Sequence, residues 1–258
     1  MWNNYQALNL ISKILFTTVT ITILYVISLR VIQPPFFPIK EINISVVANA
    51  KNNDENLLNI TREQIAQIAN NEIKGNFVSV DLTVVREAFL KLPWVRDARV
   101  TREWPDGLNV TIEEHQPLAY WGSHALVNIH GEVFRVTLNR SLPIFTGPKE
   151  ASAQEVTQQY RRFSQILNPL RQSIAEINLT PRYAWRIKLH NGTILELGRN
   201  EIEERLIRYV SVYHHSIAQF EQEGSLAYVD LRYPNGFAIR TENEVQQVRR
   251  KSDFKIET

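Results

Sequence analysis

The sequence predicts an α+β protein hung from one apolar N-terminal helix, and three observations carry that prediction. Residues 14–29 separate Lys13 from Arg30 without a single charge. Between residues 39 and 113, apolar side chains recur at period two, then twice at helical spacing, then at period two in both arms of a hairpin. From Pro117 onward the pattern changes to short alternating runs divided by turns, with two capped helical patterns among them.

The run 8–32 begins the chain after a short polar tail. Snorkelling of Lys13 and Arg30 extends its apolar span to about 20 residues, a bilayer's worth. Thr17, Thr18, Thr20, Thr22 and Ser28 make the span polar for its type, and their hydroxyls are expected to bond back to helix carbonyls. A cleaved signal peptide would need a small-residue cleavage site, and Ser-Leu-Arg-Val-Ile-Gln-Pro-Pro follows instead. A core helix would need a solvent face, which this run lacks. An uncleaved anchor over residues 10–32 is the reading, passing through a lipid bilayer, with residues 1–9 in the cytoplasm and the bulk outside it. Positive charges flank both sides and barely vote on orientation. A bacterial periplasm suits the absence of cysteine and the six unused Asn-x-Ser/Thr sequons.

Pro34, Pro35 and Pro38 stop the anchor helix. A first strand follows through Ile39, Ile42, Ile44, Val46 and Val47, then a polar Asn-rich loop at 49–59. Thr61 with Gln64 forms a capping box for a helix over 62–73, closed by Gly75. Asp81 caps a second helix with Val84, Val85, Ala88, Phe89 and Leu92 on its buried side, and Pro93 stops it. The hairpin comes next: Ala98, Val100, Arg102 and Trp104 alternate on one arm, Leu108, Val110 and Ile112 on the other. Pro105-Asp106-Gly107 is its turn, with Pro105 presetting φ and Gly107 expected at positive φ. Trp94 and Trp104 are expected to pack over the second helix, so that removing Trp104 should lower stability. These elements form one module over residues 36–115.

Gln116-Pro117 marks a boundary. Strands are expected at 118–121, 125–129 and 132–136, then a short buried run at 142–145. Ser152 and Glu155 open a helix bearing Val156, Tyr160, Phe163 and Leu167. Strands at 174–179, 184–190 and 193–198 follow, the last two joined over Asn191-Gly192. Asn200 with Glu203 caps a helix through Tyr213. A hairpin of 227–233 and 237–240 around Pro234-Asn235-Gly236 closes a curved mixed sheet with two helices, over residues 116–241. Residues 242–258 are a polar tail.

The chemistry-bearing residues exclude more than they assign. A net charge of +2 without a basic block gives no nucleic-acid footprint. Without cysteine there is no disulfide, thiol nucleophile or Cys-type zinc site. No GxSxG, phosphate loop or HExxH occurs. His115, His124, His130 and His190 lack partner spacing, and His214-His215 is expected to complement a helix C-terminus rather than hold metal. Glu113 and Glu114 point to opposite sides of a strand and cannot converge. No catalytic, cofactor or metal site is expected.

Gly75-Asn76-Phe77, Val80-Asp81-Leu82, Leu92-Pro93-Trp94-Val95, Arg102-Glu103-Trp104-Pro105-Asp106, Pro117-x-Ala119 and Tyr228-Val229-Asp230-Leu231-Arg232-Tyr233 stand in this order. Together they resemble the bacterial FtsQ/DivIB family of Gram-negative type, over nearly the whole chain. The resemblance implies a cytoplasmic tail, one inner-membrane anchor, a POTRA module (βααββ) and a β domain. It further implies a non-enzymatic divisome scaffold at the septum that binds the FtsB–FtsL pair and links it to FtsK, FtsW and FtsI. A segment of FtsB would add a strand to the last strand, here Phe237–Arg240, whose outer backbone groups should be unpaired. By position, Arg182, Arg232, Tyr233, Gly236 and Phe237 match FtsB-contacting residues, and Arg182 would meet a carboxylate. Arg232 also reads as a solvated strand residue and Tyr233 as a packed turn aromatic. Relatives can carry a terminal tryptophan where this chain has Arg240-Thr241, so that contact is lost or taken by Phe237. Val100 and Arg102 match a recruitment surface of the POTRA module. The rival readings are a membrane-anchored periplasmic cell-wall enzyme and a chaperone surface for outer-membrane clients.

Overall fold

A computed structural model describes residues 5–32, 38–46, 59–222, 226–234 and 236–241. Helix α1 (Tyr5–Ile32) is a single run, apolar enough over Leu8–Ser28 to cross a bilayer. Its hydroxyls bond back as the sequence requires: Thr17 Oγ1 donates to the Lys13 carbonyl at 2.9 Å, and Thr20 and Thr22 donate to Phe16 and Thr18 at 2.8 Å. The predicted loop 49–59 lies outside the described residues except for Asn59.

Two compact units divide after Glu114. The first holds β1 (Glu41–Val46), α2 (Arg62–Glu72), α3 (Leu82–Leu90), β2 (Val95–Glu103) and β3 (Gly107–Glu114). Its sheet has the order β1-β3-β2, with β1 parallel and β2 antiparallel to β3. The central strand buries Leu108, Val110 and Ile112 completely, under Val85 and Phe89 of α3. The capping box closes as expected, since Gln64 N donates to Thr61 Oγ1 and Thr61 N to Gln64 Oε1. Asp81 Oδ1 accepts from Thr83 N at 2.8 Å and so starts α3. Helix α2 buries no residue fully, and only Ile65 and Ile68 reach the core.

Three expectations for this unit are corrected. Val84 is exposed, because α3 turns only the Val85–Ala88–Phe89 stripe to the sheet. Gly107 has no positive φ, since β3 starts at Gly107 itself. A Cβ there would come 3.3 Å from the Glu103 carbonyl oxygen, a tight approach at the end of the hairpin. Trp104 is not packed but 84% exposed, while Trp94 does lie against the core. The last register pair of the hairpin is Glu103 with Gly107, so Trp104 stands beyond the paired strands, exposed among the described residues.

The second unit carries one nine-stranded mixed sheet. Its strands are β4 (Pro117–Trp121), β5 (Ala125–Asn128), β6 (Val133–Phe134), β7 (Ile144–Thr146), β8 (Ile174–Leu179), β9 (Trp185–Leu189), β10 (Ile194–Gly198), β11 (Leu226–Asp230) and β12 (Ala238–Thr241). The order is β12-β11-β10-β9-β8-β7-β4-β5-β6, with parallel pairs at β4/β7, β7/β8 and β10/β11. Helices α4 (Ala153–Leu167) and α5 (Ile202–Val212) pack on each other and on this sheet. Val156, Phe163, Leu206 and Tyr209 are fully buried against Ile187, Leu195 and Val229, and Phe163 meets Trp185 edge-on at 5.8 Å. The alternate residues form a polar face on the sheet. There Lys188 pairs with Glu176 at 2.8 Å and Arg186 with Glu196 at 2.7 Å.

Both helix starts differ from expectation. Ser152 makes no cap: a 3₁₀ turn over Glu150–Ser152 precedes α4, and its hydroxyl donates to the Lys149 carbonyl. Helix α5 starts from Glu201 at φ 52° without a side-chain cap, and the Glu203 carboxylate accepts from Arg162 Nη1 at 2.8 Å. His214-His215 is not at a helix end either. The chain continues through a π-helical turn, Tyr213–Ile217, into α6 (Ala218–Gln222), and His214 stands edge-on to Tyr213. Strand β11 stops at Asp230 rather than reaching Tyr233, and β12 begins at Ala238.

The first unit makes an unusual demand on Arg102. Its Nε donates to the Phe77 carbonyl at 2.8 Å, and its Nη2 to those of Val78 and Val80 at 3.2 and 2.7 Å. Three carbonyls of the turn before α3 thus hang on one guanidinium. Arg102→Ala should cost about 1–3 kcal/mol, read as a lower denaturant midpoint of the full chain. Trp104→Ala should leave that midpoint within about 0.5 kcal/mol of wild type.

Candidate functional site

Strand β12 has a partner on one side only among the described residues, so it ends the sheet. Its register with β11 pairs Asp230 with Ala238, Val229 with Ile239 and Tyr228 with Arg240. Phe237 and Ile239 turn to the core, which fastens the strand to the sheet. Ala238 and Arg240 are exposed, and the Arg240 guanidinium lies 5.2 Å above the centre of the Tyr228 ring. Burial, with Glu196 and Asp230 nearby, holds the Tyr228 hydroxyl above its ordinary pKa. Among the described residues, β12 is thus the terminal strand on this side of the sheet, the position at which a further strand can add.

The approach to this edge is set by Asp230. Its carboxylate is almost buried and takes a two-point bond from Arg232: Nε to Oδ1 at 2.9 Å and Nη2 to Oδ2 at 2.6 Å. The Arg232 backbone N–H donates to the same Oδ1 at 3.0 Å, which turns the chain out of β11. Hydrogen bonding from Arg232 holds the Asp230 carboxyl below its usual range, and the same bond raises Arg232. Leu231 stays anchored, with its N–H on the Glu196 carbonyl and its side chain buried. Tyr233 then projects outward, 54% exposed, while its carbonyl accepts from Arg208 Nη1 at 3.0 Å. It is not the packed aromatic that was one reading of it. Gly236 and Phe237 lead into β12 and are half-buried; Asn235 of the predicted turn lies outside the described residues.

Arg182 and Arg232 face one open cleft of about 720 Å³. Arg182 comes from the loop between β8 and β9, which Thr180 closes by accepting from Tyr183 N and Ala184 N. Arg199 and Arg205 add two further guanidinium groups, and Glu196 is the one carboxylate of the lining. Arg205 Nη1 donates to the Leu197 carbonyl at 2.7 Å. With Arg232 matched by Asp230, Arg182, Arg199 and Arg205 still outnumber Glu196, a balance that suits an acidic segment.

Sequence reasoning missed Arg199, Arg205 and Gly198. Gly198 carried a usable signal, a glycine at a strand end. It takes φ +76° at a register shift between β9 and β10. A Cβ there would come within 2.9 Å of Arg205 Nη1 and 3.1 Å of Arg232 Cγ, so its absence seats both arginines. Val100 and Arg102 belong to the first unit. Val100 is half-buried against its core, and the Arg102 guanidinium is committed to the turn before α3. No group of three metal-ligating side chains occurs among the described residues. Glu113 and Glu114 have separate partners, Arg96 and Asn59, and do not converge.

Comparison with known proteins follows this division. A family model described as the C-terminal part of cell division protein FtsQ/DivIB matches residues 119–232. One described as POTRA domain, FtsQ-type, matches residues 55–115. Arg182 and Arg232 fall inside the first match, and Tyr233, Gly236 and Phe237 just beyond it. The cell division protein FtsQ of Nitrosospira multiformis is 45% identical over 240 residues, covering 93% of this chain and 99% of that protein. That of Burkholderia pseudomallei is 40% identical over 247 residues, covering 93% and 94%. That of Neisseria gonorrhoeae is 30% identical over 241 residues, covering 93% and 95%.

Two outcomes are expected. Gly198→Ala should destabilise the protein by at least about 1 kcal/mol, from the left-handed backbone alone, read by denaturant unfolding. Asp230 has a depressed folded pKa, so its contribution is full above the unfolded carboxylate value, about 3.9, and is lost as pH falls through the folded value. Arg232→Ala should therefore lower stability at pH 7 and flatten its loss between about pH 4 and lower pH, seen as melting temperature against pH.

Proposed function

Because this chain belongs to the FtsQ/DivIB family of bacterial cell division proteins, we propose that it is a non-enzymatic scaffold binding FtsB–FtsL by strand addition at β12. The anchor α1 would place the bulk in the periplasm at the division septum, with FtsK, FtsW and FtsI as further divisome partners. One observation carries the reading: Arg232, which lines the arginine cleft, is bonded to Asp230, the residue of β11 in register with the start of the edge strand at Ala238. An extended FtsB segment would take main-chain bonds from β12, and its carboxylates would meet Arg182 and Arg232. Tyr233 offers an exposed aromatic anchor of the kind that dominates interface energetics. Phe237 supports the edge from beneath, since it packs on the core rather than standing free.

The polar sheet face favours this reading over a cell-wall enzyme. Its carboxylates are matched to cations, as in Lys188–Glu176 and Arg186–Glu196, rather than gathered around a nucleophile. The domains would run as a tail at 1–9, an anchor at 10–32, the POTRA module at 36–115, the β domain at 116–241 and a tail at 242–258. Val100 would serve recruitment as part of the exposed β2 surface, with Arg102 shaping that surface.

Capture of an FtsB periplasmic fragment by the full chain tests the site. Tyr233→Ala should weaken binding at least about tenfold, about 1.4 kcal/mol, with an unchanged melting temperature. Arg182→Glu should weaken it further at low salt than at high salt. Wild-type affinity in both variants would falsify strand addition at this edge.

A further inference from the structure

Trp104 is the most exposed large hydrophobic side chain among the described residues, at 84%. Standing at the hairpin tip, the indole presents an apolar body and one N–H donor to whatever surface lies there. Where that tip lies narrows the choice. Lys40 N donates to the Asp106 carbonyl at 2.9 Å, Lys40 Nζ pairs with Asp106 Oδ2 at 2.6 Å, and Glu41 is in register with Gly107. Because β1 is parallel to β3, the tip sits at the end of β1 by which the chain arrives from α1.

Helix α1 ends at Ile32, and the tip is bonded to Lys40. Eight residues reach at most about 28 Å when fully extended. The tip is thus tethered within that distance of the end of α1, one helical turn beyond the apolar span that closes at Ser28. The polar headgroup layer alone adds several ångströms to each side of the hydrocarbon, roughly 5–8 Å. Val78, exposed at 48%, belongs to the same end of the module, because Arg102 binds the carbonyls of Phe77, Val78 and Val80 two residues before Trp104. Pro105 beside the indole is exposed as well. Tryptophan is the side chain that favours a membrane–water boundary, having an apolar body and one N–H for a wet partner.

We infer that Trp104 docks into the headgroup region of the bilayer that α1 crosses, with Val78 beside it, and holds the first unit against the membrane surface. The inference rests on α1 as the membrane anchor. Covering Trp104 this way needs no protein partner and leaves β12, in the other unit, free for its own contacts.

The test uses the full chain in phosphatidylethanolamine–phosphatidylglycerol nanodiscs with and without brominated acyl chains. Incorporation reports on α1, and tryptophan fluorescence reports on the tip. The emission lost on Trp104→Phe should be blue-shifted and quenched about twofold by bromolipid. If the chain enters the discs but that emission is red-shifted and unquenched, the inference is overturned, the outcome also expected if Trp104 serves a protein partner. A chain that fails to enter the discs removes both readings. The absence of cysteine allows an independent check with single nitroxides. Oxygen dissolved in the bilayer should broaden a label at Val78→Cys more than one at Lys91→Cys, which adjoins the far end of β2; equal broadening would sink the idea.

Discussion

The pairing of Asp230 with Arg232 organises the end of the second unit. A carboxylate with side-chain exposure of 9% is tolerable only because a guanidinium and a backbone N–H neutralise and satisfy it. That one cluster ends β11, sends Tyr233 outward and sets where the chain returns as β12. It also lays the Arg232 stem against Gly198, so the cleft and the edge strand share a support. Contact and structure are therefore not separable at Arg232: a partner's carboxylate would meet a guanidinium already shared with Asp230.

The sheet decides which residues remain available. A single layer of helices covers it, so the period-two alternation sends Trp185, Ile187 and Leu189 inward and leaves Arg186 and Lys188 outside. On the outer face, charges pair across neighbouring strands and the aromatic ring of Tyr228 carries Arg240. Among the described residues the terminal strand β12 lies at one end of this sheet, where Ile239 holds it in place from the core side. The first unit uses an arginine in a comparable way, with Arg102 gathering three carbonyls that no helix or strand satisfies.

Local physics made much of this legible. Thr61 with Gln64, and Asp81 before α3, are caps formed within four residues, and both were readable in advance. The edge position of the last strand followed from a short apolar run with only polar residues after it. The caps at Ser152 and Asn200 did not form: a 3₁₀ turn engages the Ser152 hydroxyl locally, while α5 starts at Glu201 in the left-handed region and Glu203 pairs with the distant Arg162. Trp104 misled because burial depends on what lies overhead, and an alternating strand does not say where its cover stops. The cleft was half legible: Arg182 and Arg232 stood out by resemblance, whereas Arg199 and Arg205 have no local mark.

By itself, then, the sequence determined the anchor helix, the order of strands and helices, the hairpin and the caps at Thr61 and Asp81. Each depends on side-chain period or on groups a few residues apart, where neighbours along the chain supply the interaction. Only the tertiary structure decided that β7 would slot between β4 and β8, that arginines from four segments would meet, and that a tryptophan would be left bare. Those outcomes turn on long-range pairing and on which surfaces find cover, and no local window of the chain contains both partners.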